Sequence, residues 1–150
     1  MALAAVRTTD AQSLAYGIAG PAGFSGFFGS SASAVHAAGG GEVLVDGRAG
    51  IGAELGVLAN SGSVLLVFSA NGVFHVSTNQ VMRRLSPFVT GGYTSMRNGD
   101  GSFGAWNVGA GADLWPKDRV GIRVEFRDHV RPDSRGAIQY WAVRGGVVFR

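Results

Sequence analysis

The residues of this chain that could do chemistry are charged side chains spaced two positions apart. Arg123, Glu125 and Arg127 alternate with Val124 and Phe126 near the C-terminal end of the sequence. A period of two is that of a β-strand, so ions project from one face and apolar groups from the other. An acid between two bases on one face is suited to ion pairing.

Charged residues also occupy alternate positions in other segments of the chain. If the apolar face of every strand points outward, one set of ionisable residues points inward: Glu42, Glu54, Asp113, Arg123, Glu125, Arg127 and Arg144, with His36 and His75. Unpaired ions in a narrow interior are costly, so arginines are expected to pair with carboxylates on neighbouring strands. This predicts a charge network that plugs the interior. A gated ion path with a preference for anions is the alternative.

Catalytic constellations are absent from the sequence pattern. Asp128 and His129 are adjacent, so on a strand they point to opposite faces and cannot serve one site. Asp133 and Ser134 lie in a turn without a nucleophile-elbow motif. His36 and His75 have no evident third ligand for a metal. We therefore predict no enzyme activity, no metal and no cofactor.

Eight segments with strand periodicity, joined by short turns, position these side chains. They are residues 13–20, 32–45, 50–59, 64–77, 87–96 and 103–115, followed by a hairpin of two strands within residues 119–150. Asn71-Gly72 is a strong hairpin signal, but the alternation continues across it, which favours one strand. No segment has helical periodicity. The sequence predicts an all-β fold, an eight-stranded antiparallel up-and-down barrel.

Composition excludes several classes of protein. The 150 residues fit one domain, there is no cysteine, and the 13 Lys and Arg form no cluster typical of nucleic-acid binding. Residues 1–12 are predicted to be a leader or the remnant of a signal peptide, and residues 13–150 the barrel domain. Glycine is frequent, at 25 residues, and is dispersed among Val, Phe and Ala, which suits closely packed or strongly bent strands.

Which face looks inward is decided by strand length and by the polar face. Nearly every segment reaches the roughly 9–11 residues that a tilted strand needs to cross a bilayer. The polar faces of the segments carry mainly Gly, Ser, Thr, Asn and Ala. Tyr16, Tyr93, Trp106 and Trp141 are predicted at the lipid interface. These features predict a transmembrane barrel. The alternative is a soluble lipocalin-like or avidin-like barrel that binds a small ligand, with its cavity lined by Phe68, Phe74, Val124 and Phe126.

Four motifs resemble the small outer-membrane β-barrels of Gram-negative bacteria, of the OmpA-like type. They are PFVTGGY (87–93), NVGAGADLW (107–115), VGIRVEFRDH (120–129) and YWAVRGGVVFR (140–150). The resemblance implies an outer-membrane location and an aromatic residue at the end of the last strand that the outer-membrane assembly machinery recognises. That residue would be Phe149, which Arg150 follows here.

The predicted function is that of a structural, porin-like envelope component with a plugged interior. Its predicted partners are outer-membrane lipid and the assembly machinery, with no nucleic acid. A small ion-conducting pore and the soluble binding barrel are the alternatives. The predicted outer loops, at residues 21–31, 60–63, 97–102 and 131–136, are short, which argues against large protein-binding loops.

Overall fold

A computed structural model describes residues 11–25, 32–45, 47–76, 84–99, 101–134 and 136–150 of the chain. Eight antiparallel strands pair in sequence order and close into a barrel. The strands are β1 (Ala11–Ser25), β2 (Ala32–Val45), β3 (Ala49–Ala59), β4 (Val64–His75), β5 (Leu85–Asn98), β6 (Gly101–Leu114), β7 (Val120–Asp133) and β8 (Gly136–Phe149). The predicted all-β, eight-stranded up-and-down barrel is confirmed.

Closure comes from pairing of the first strand with the last. Ala15 pairs with Phe149 and Ser25 with Gln139, so neither β1 nor β8 is left as a free edge. We call the end of the barrel that carries the connections after β1, β3, β5 and β7 the loop end, and the opposite end the turn end. No helix in the described part of the chain is long and apolar enough to cross a membrane.

Two local predictions have different outcomes. Strand β4 runs through Asn71-Gly72, which pair with Gly92 and Gly91 of β5, so the prediction of one continuous strand is confirmed. Residues 21–31 were predicted as a loop or a ragged strand end; β1 extends to Ser25, so the loop interpretation was wrong for residues 21–25, and residues 26–31 lie outside the described residues. Pro21 still pairs with Val35 of β2. Towards β8 the register stops at Ala19 and resumes at Ala22, as expected for a residue without an N–H donor.

The start of the barrel also differs slightly from the prediction. Strand β1 begins at Ala11, two residues before the predicted start of the domain at residue 13. The predicted leader or signal-peptide remnant spans residues 1–12, and residues 1–10 of it lie outside the described residues.

The barrel is apolar outside and charged inside. Ile51, Trp106 and Val108 are 74%, 64% and 63% exposed, whereas Arg123 and Asp113 are fully buried. Water-soluble proteins bury their apolar side chains and leave ions in water. This distribution is the reverse, and a continuous apolar surface of this kind requires a non-aqueous environment.

Two apolar clusters lie inside the barrel, one towards each end. The turn-end cluster contains Leu14, Leu44, Phe88, Trp115 and Val148 among its members. The loop-end cluster contains Leu58, Val67, Met96, Ala105 and Tyr140 among its members. The clusters flank the charged side chains, which are thereby shielded from water at both ends of the barrel.

Candidate functional site

The first part of the interior network is centred on Arg123 of β7. Its Nε and Nη2 atoms donate to the Asp113 carboxylate at 2.7 and 2.9 Å. Its Nη1 and Nη2 atoms donate to Glu42 at 2.6 and 3.2 Å. Asp113 is the direct neighbour of Arg123 across the β6–β7 pair, but Glu42 comes from β2. This double bidentate contact therefore bridges the interior of the barrel from β7 to β2.

Two aromatic rings cover the same guanidinium group. The rings of Tyr16 and Phe88 lie 4.3 and 4.5 Å from the Arg123 Cζ atom. Each ring occupies the place that a Cβ would take on the glycine opposite it: Gly40 for Tyr16 and Gly111 for Phe88, both at 2.6 Å. Glycine at these two positions allows a large ring to lie flat against the neighbouring strand. The charge is thus enclosed by carboxylates at its edge and by π-faces.

Histidine extends this part of the network towards the turn end. The Nε2 atom of His75 lies 3.2 Å from Glu42 Oε2, and Nδ1 lies 3.1 Å from the Ser86 hydroxyl. A carboxylate only accepts hydrogen bonds, so Nε2 carries the proton. Glu42 therefore receives N–H groups from both an arginine and a histidine, which compensates for its burial.

The second part is a closed cycle of two acids and two bases at the middle of the barrel. Arg144 donates to Glu54 at 2.5 Å and to Glu125 at 2.9 Å. Arg127 donates to Glu125 at 2.5 Å, and its Nη1 atom forms an ion pair with Glu54 at 3.6 Å. All four side chains are buried. The cycle is formally neutral and joins β3, β7 and β8.

Tyr16 connects the two parts. Its ring lies over Arg123, and its hydroxyl donates to Glu54 Oε2 at 3.2 Å. The prediction that Tyr16 is a lipid-interface aromatic was therefore wrong: it is only 6% exposed and points inward. Small side chains at Ala15, Gly17 and Ala19 form the outer face of β1 instead. Both faces of β1 carry apolar residues, so hydrophobic alternation alone could not show which face points inward.

Replacement of Tyr16 by phenylalanine tests this connection. The variant keeps the ring over Arg123 but removes the hydrogen bond to a buried carboxylate. We expect the free energy of unfolding to fall by about 1.5–3 kcal/mol, the range for bonds to charged groups. Urea unfolding of the reconstituted barrel measures it. Tyr93→Phe, at an exposed ring on the outside, is the matched control and should stay within about 0.5 kcal/mol of the wild type. Equal effects of the two substitutions would contradict the role of Tyr16.

The structure brings together all seven residues of the predicted charge network. Glu42, Asp113 and Arg123 form one group, and Glu54, Glu125, Arg127 and Arg144 the other. His36 is also buried, with Nδ1 3.2 Å from Arg144. Sequence reasoning missed the polar chain of Ser69, Thr94 and Asn107, which hydrogen-bond at 2.8 and 2.9 Å. These three residues share the inward-facing side of their strands with the charged residues, and this is the signal that could have found them.

The remaining predicted aromatic positions lie on the outside. Tyr93 and Trp106 are cross-strand partners whose rings contact edge to face, with centroids 5.4 Å apart. Trp141 is 39% exposed and covers Gly23 of β1. Phe149 is 48% exposed at the turn end, where β8 pairs with both β1 and β7.

The residues proposed for a soluble ligand-binding barrel do not line a cavity. Phe68, Phe74, Val124 and Phe126 are between 47% and 55% exposed on the outer surface. The structure does not favour that alternative, because the strands present the opposite face to the interior. Among the described residues, no group of three or more His, Asp or Glu side chains could hold a metal ion.

A closed eight-stranded barrel with ions inside and an apolar exterior defines a class, the small outer-membrane β-barrel, and the fold of this chain is of that class. No family model and no curated protein matches the chain. Solved structures of similar fold include those of three bacterial proteins.

The first similar structure is Neisserial surface protein A, with 13% identity, a TM-score of 0.72, and coverage of 93% of this chain and 98% of that one. The N-terminal β-barrel domain of Pseudomonas aeruginosa OprF has 15% identity, a TM-score of 0.61, and coverage of 90% and 96%. Ail, the attachment invasion locus protein of Yersinia pestis, has 12% identity, a TM-score of 0.56, and coverage of 95% and 100%. The predicted resemblance to small outer-membrane barrels is confirmed for the fold.

Proposed function

We propose that this protein is a structural barrel of the bacterial outer membrane, with an interior sealed by its buried charge network and no enzyme activity. The proposal rests on the reversed distribution of side chains, with apolar groups on the outer surface and ions in the interior. Large apolar side chains are exposed on the outside of β2 to β8, and the outer face of β1 carries small residues, while Arg123, Arg127 and Arg144 are at most 2% exposed. Lipid is the solvent in which that distribution is stable.

Strand length and aromatic placement support the same environment. The strands contain 11 to 15 residues, enough to cross a hydrocarbon core at the tilt of about 45° found in such barrels. Phe68, Tyr93, Trp106 and Trp141 each lie four or five residues from the loop end of their strands. Phe74 and Phe149 lie at the turn end. Two aromatic belts of this kind are typical of barrels anchored at both membrane interfaces.

The seal is supported by the geometry of the interior. An eight-stranded barrel has room only for side chains. Here Arg123 reaches from β7 to Glu42 on β2, and Arg144 reaches from β8 to Glu54 on β3. These contacts cross the interior at two successive levels, with apolar clusters on either side. An ion would have to separate buried ion pairs to pass.

Conductance in a planar bilayer tests the sealed interior. We expect insertion of the purified barrel to produce no unitary current steps at moderate voltage, because the ion pairs close the path. Stable steps with a preference for anions would contradict the seal and would favour the gated pore. The Arg144→Ala variant breaks the central cycle of ion pairs, so a path for ions would be easiest to detect in it. Insertion itself is verified by protease protection of the same protein preparation in vesicles of the same lipid.

The proposed partners follow from the surface and from the last strand. Outer-membrane lipid contacts the apolar exterior. Phe149, with its ring exposed at the seam between β8, β1 and β7, is proposed as the assembly signal. Arg150 follows it, and its guanidinium lies 4.3 Å from the Trp115 ring, which leaves the Phe149 ring accessible on the outer face.

A further inference from the structure

An open pocket of about 450 Å³ lies at the turn end of the barrel, apart from the charge network. Its surface is mostly polar. It is lined by Arg84, Trp115, Pro116, Asp118 and Arg150. Pockets that bind small ligands have volumes of about 300–1,000 Å³. The turn-end pocket is therefore large enough for a ligand of the size of a lipid headgroup.

The guanidinium group of Arg150 is held in place beside this pocket. Its Cζ atom lies 4.3 Å from the centre of the Trp115 ring, and its Nε atom donates to the Asp118 carbonyl oxygen. The backbone N–H of Arg150 donates to the Arg119 carbonyl oxygen at 3.2 Å. Its two Nη atoms have no hydrogen-bond partner among the residues that the structure describes. They retain four N–H donors, which can bind an anion.

Arg84 brings a second guanidinium group to the same pocket. Its carbonyl oxygen accepts a hydrogen bond from the Trp115 N–H at 2.6 Å, which fixes the backbone of Arg84 next to Trp115. The Arg84 side chain is exposed, and its guanidinium has no ion pair or hydrogen bond within the described part of the chain. Because each guanidinium can donate two parallel N–H groups, two of them beside one pocket suit a phosphate.

The surface around the pocket is also predominantly basic. In the described turns at this end, the exposed charged residues are Arg48, Arg84, Lys117, Arg119 and Arg150, with Asp118 as the acidic member. Basic residues at a membrane surface attract anionic lipids. The turn end therefore favours a headgroup with a net negative charge.

The pocket borders the apolar outer surface of the barrel. Three of its lining residues are each adjacent in the chain to an exposed apolar residue: Leu85, Leu114 and Phe149 are between 38% and 48% exposed. Leu85 and Leu114 are also cross-strand partners. A free phosphate ion would use only the arginines, whereas a phospholipid would also place its acyl chains on this apolar surface. The position of the pocket therefore favours an amphiphile.

We propose that the turn-end pocket binds the headgroup of an anionic phospholipid. The phosphate accepts N–H groups from Arg84 and Arg150, and the acyl chains lie along Leu85 and Leu114. This inference rests on the proposed function, because it requires the apolar exterior to face lipid. It adds one selective lipid site to that exterior and uses none of the residues of the charge network.

Native mass spectrometry of the barrel in detergent micelles tests the proposal, with phosphatidylglycerol and phosphatidylcholine of the same acyl chains as probes. We expect one phosphatidylglycerol to be retained, with an affinity about tenfold higher than that of phosphatidylcholine, the value of one hydrogen bond to a charged group. Equal affinities overturn the proposal.

Glycerol 3-phosphate distinguishes a lipid from a free phosphate. It carries the phosphate without the acyl chains, so we expect it to leave the bound phosphatidylglycerol in place when both are present at equal concentration. Displacement of the lipid at equal concentration overturns the assignment of a phospholipid as the occupant.

Two arginine variants locate the site. Arg84→Gln and Arg119→Gln make the same change at two exposed arginines of the turn end, of which only Arg84 lines the pocket. Arg84→Gln should lower the affinity for phosphatidylglycerol about tenfold. Arg119→Gln should lower it by less than about twofold, because an exposed charge away from the phosphate is screened. An equal loss in the two variants shows diffuse attraction to a basic surface and overturns the pocket.

Flotation with phosphatidylcholine vesicles separates this inference from the proposed function. A barrel that inserts into these vesicles but shows no preference for phosphatidylglycerol overturns the inference alone. A barrel that is folded in detergent but remains outside the vesicles overturns both.

Discussion

Replacement of Arg123 by methionine is expected to lower the free energy of unfolding by about 3–5 kcal/mol, the usual cost of removing one partner from a buried ion pair. Methionine fills much of the same space between Tyr16 and Phe88. It leaves Asp113 and Glu42, fully buried and 6% exposed respectively, without their shared cation. The destabilisation therefore comes from two stranded carboxylates and only secondarily from lost packing.

Urea unfolding in lipid vesicles, followed by tryptophan fluorescence, measures this effect. Arg48→Met, at an exposed arginine in the turn between β2 and β3, is the matched control and should change stability by less than about 0.5 kcal/mol. The triple variant Glu42→Gln, Asp113→Asn, Arg123→Met removes all three charges and should recover much of the loss. An Arg123→Met barrel within about 1 kcal/mol of the wild type would contradict the role assigned to the network.

An arginine introduced at Val143 is expected to destabilise the barrel by about 2–4 kcal/mol in a bilayer, the cost of that residue at the membrane midplane. Val143 lies near the centre of β8, is 43% exposed on the outer face, and pairs with Phe126 of β7. A charge at this point has only lipid and apolar side chains around it. In a water-soluble barrel the same exposed position would tolerate arginine.

Depth dependence makes this prediction specific. Val120 is the first residue of β7, at the turn end, and is 38% exposed. Val120→Arg places the same charge near the interface, where the expected cost is only about 0–1 kcal/mol. The two variants are compared by reversible unfolding in the same vesicles. A cost that is equal at the two depths, or absent from both, would contradict a lipid-facing exterior.

The sequence predicts most of the barrel because alternation is a strong signal when the two faces differ in chemistry. In β7, arginine and glutamate at every second position separate the two faces of the strand clearly, and strand length then favours the ionised face as the inner one. In β4, the alternation outweighs the turn signal of Asn71-Gly72, and the structure confirms this. The same parity selects the charged residues that meet in the interior, because side-chain direction in a strand depends only on position.

What the sequence could not predict depends on contacts across the barrel. Tyr16 lies in a strand with apolar residues on both faces, so its inward direction follows only from the space above Gly40 and the carboxylate of Glu54. The partnership of Arg123 with Glu42 joins residues 81 positions apart, through the interior rather than across a strand pair.

The central claim is that the apolar outer surface faces lipid, and fluorescence quenching by brominated lipid tests it most directly. Trp106 is 64% exposed on the outside, whereas Trp115 is 5% exposed inside the turn end. Two single-tryptophan variants isolate them: Trp115→Phe with Trp141→Phe leaves Trp106, and Trp106→Phe with Trp141→Phe leaves Trp115. In vesicles of brominated phosphatidylcholine, we expect strong quenching of Trp106 and little quenching of Trp115. If Trp106 stays as bright as in unbrominated vesicles, its surface does not face lipid and the account is wrong.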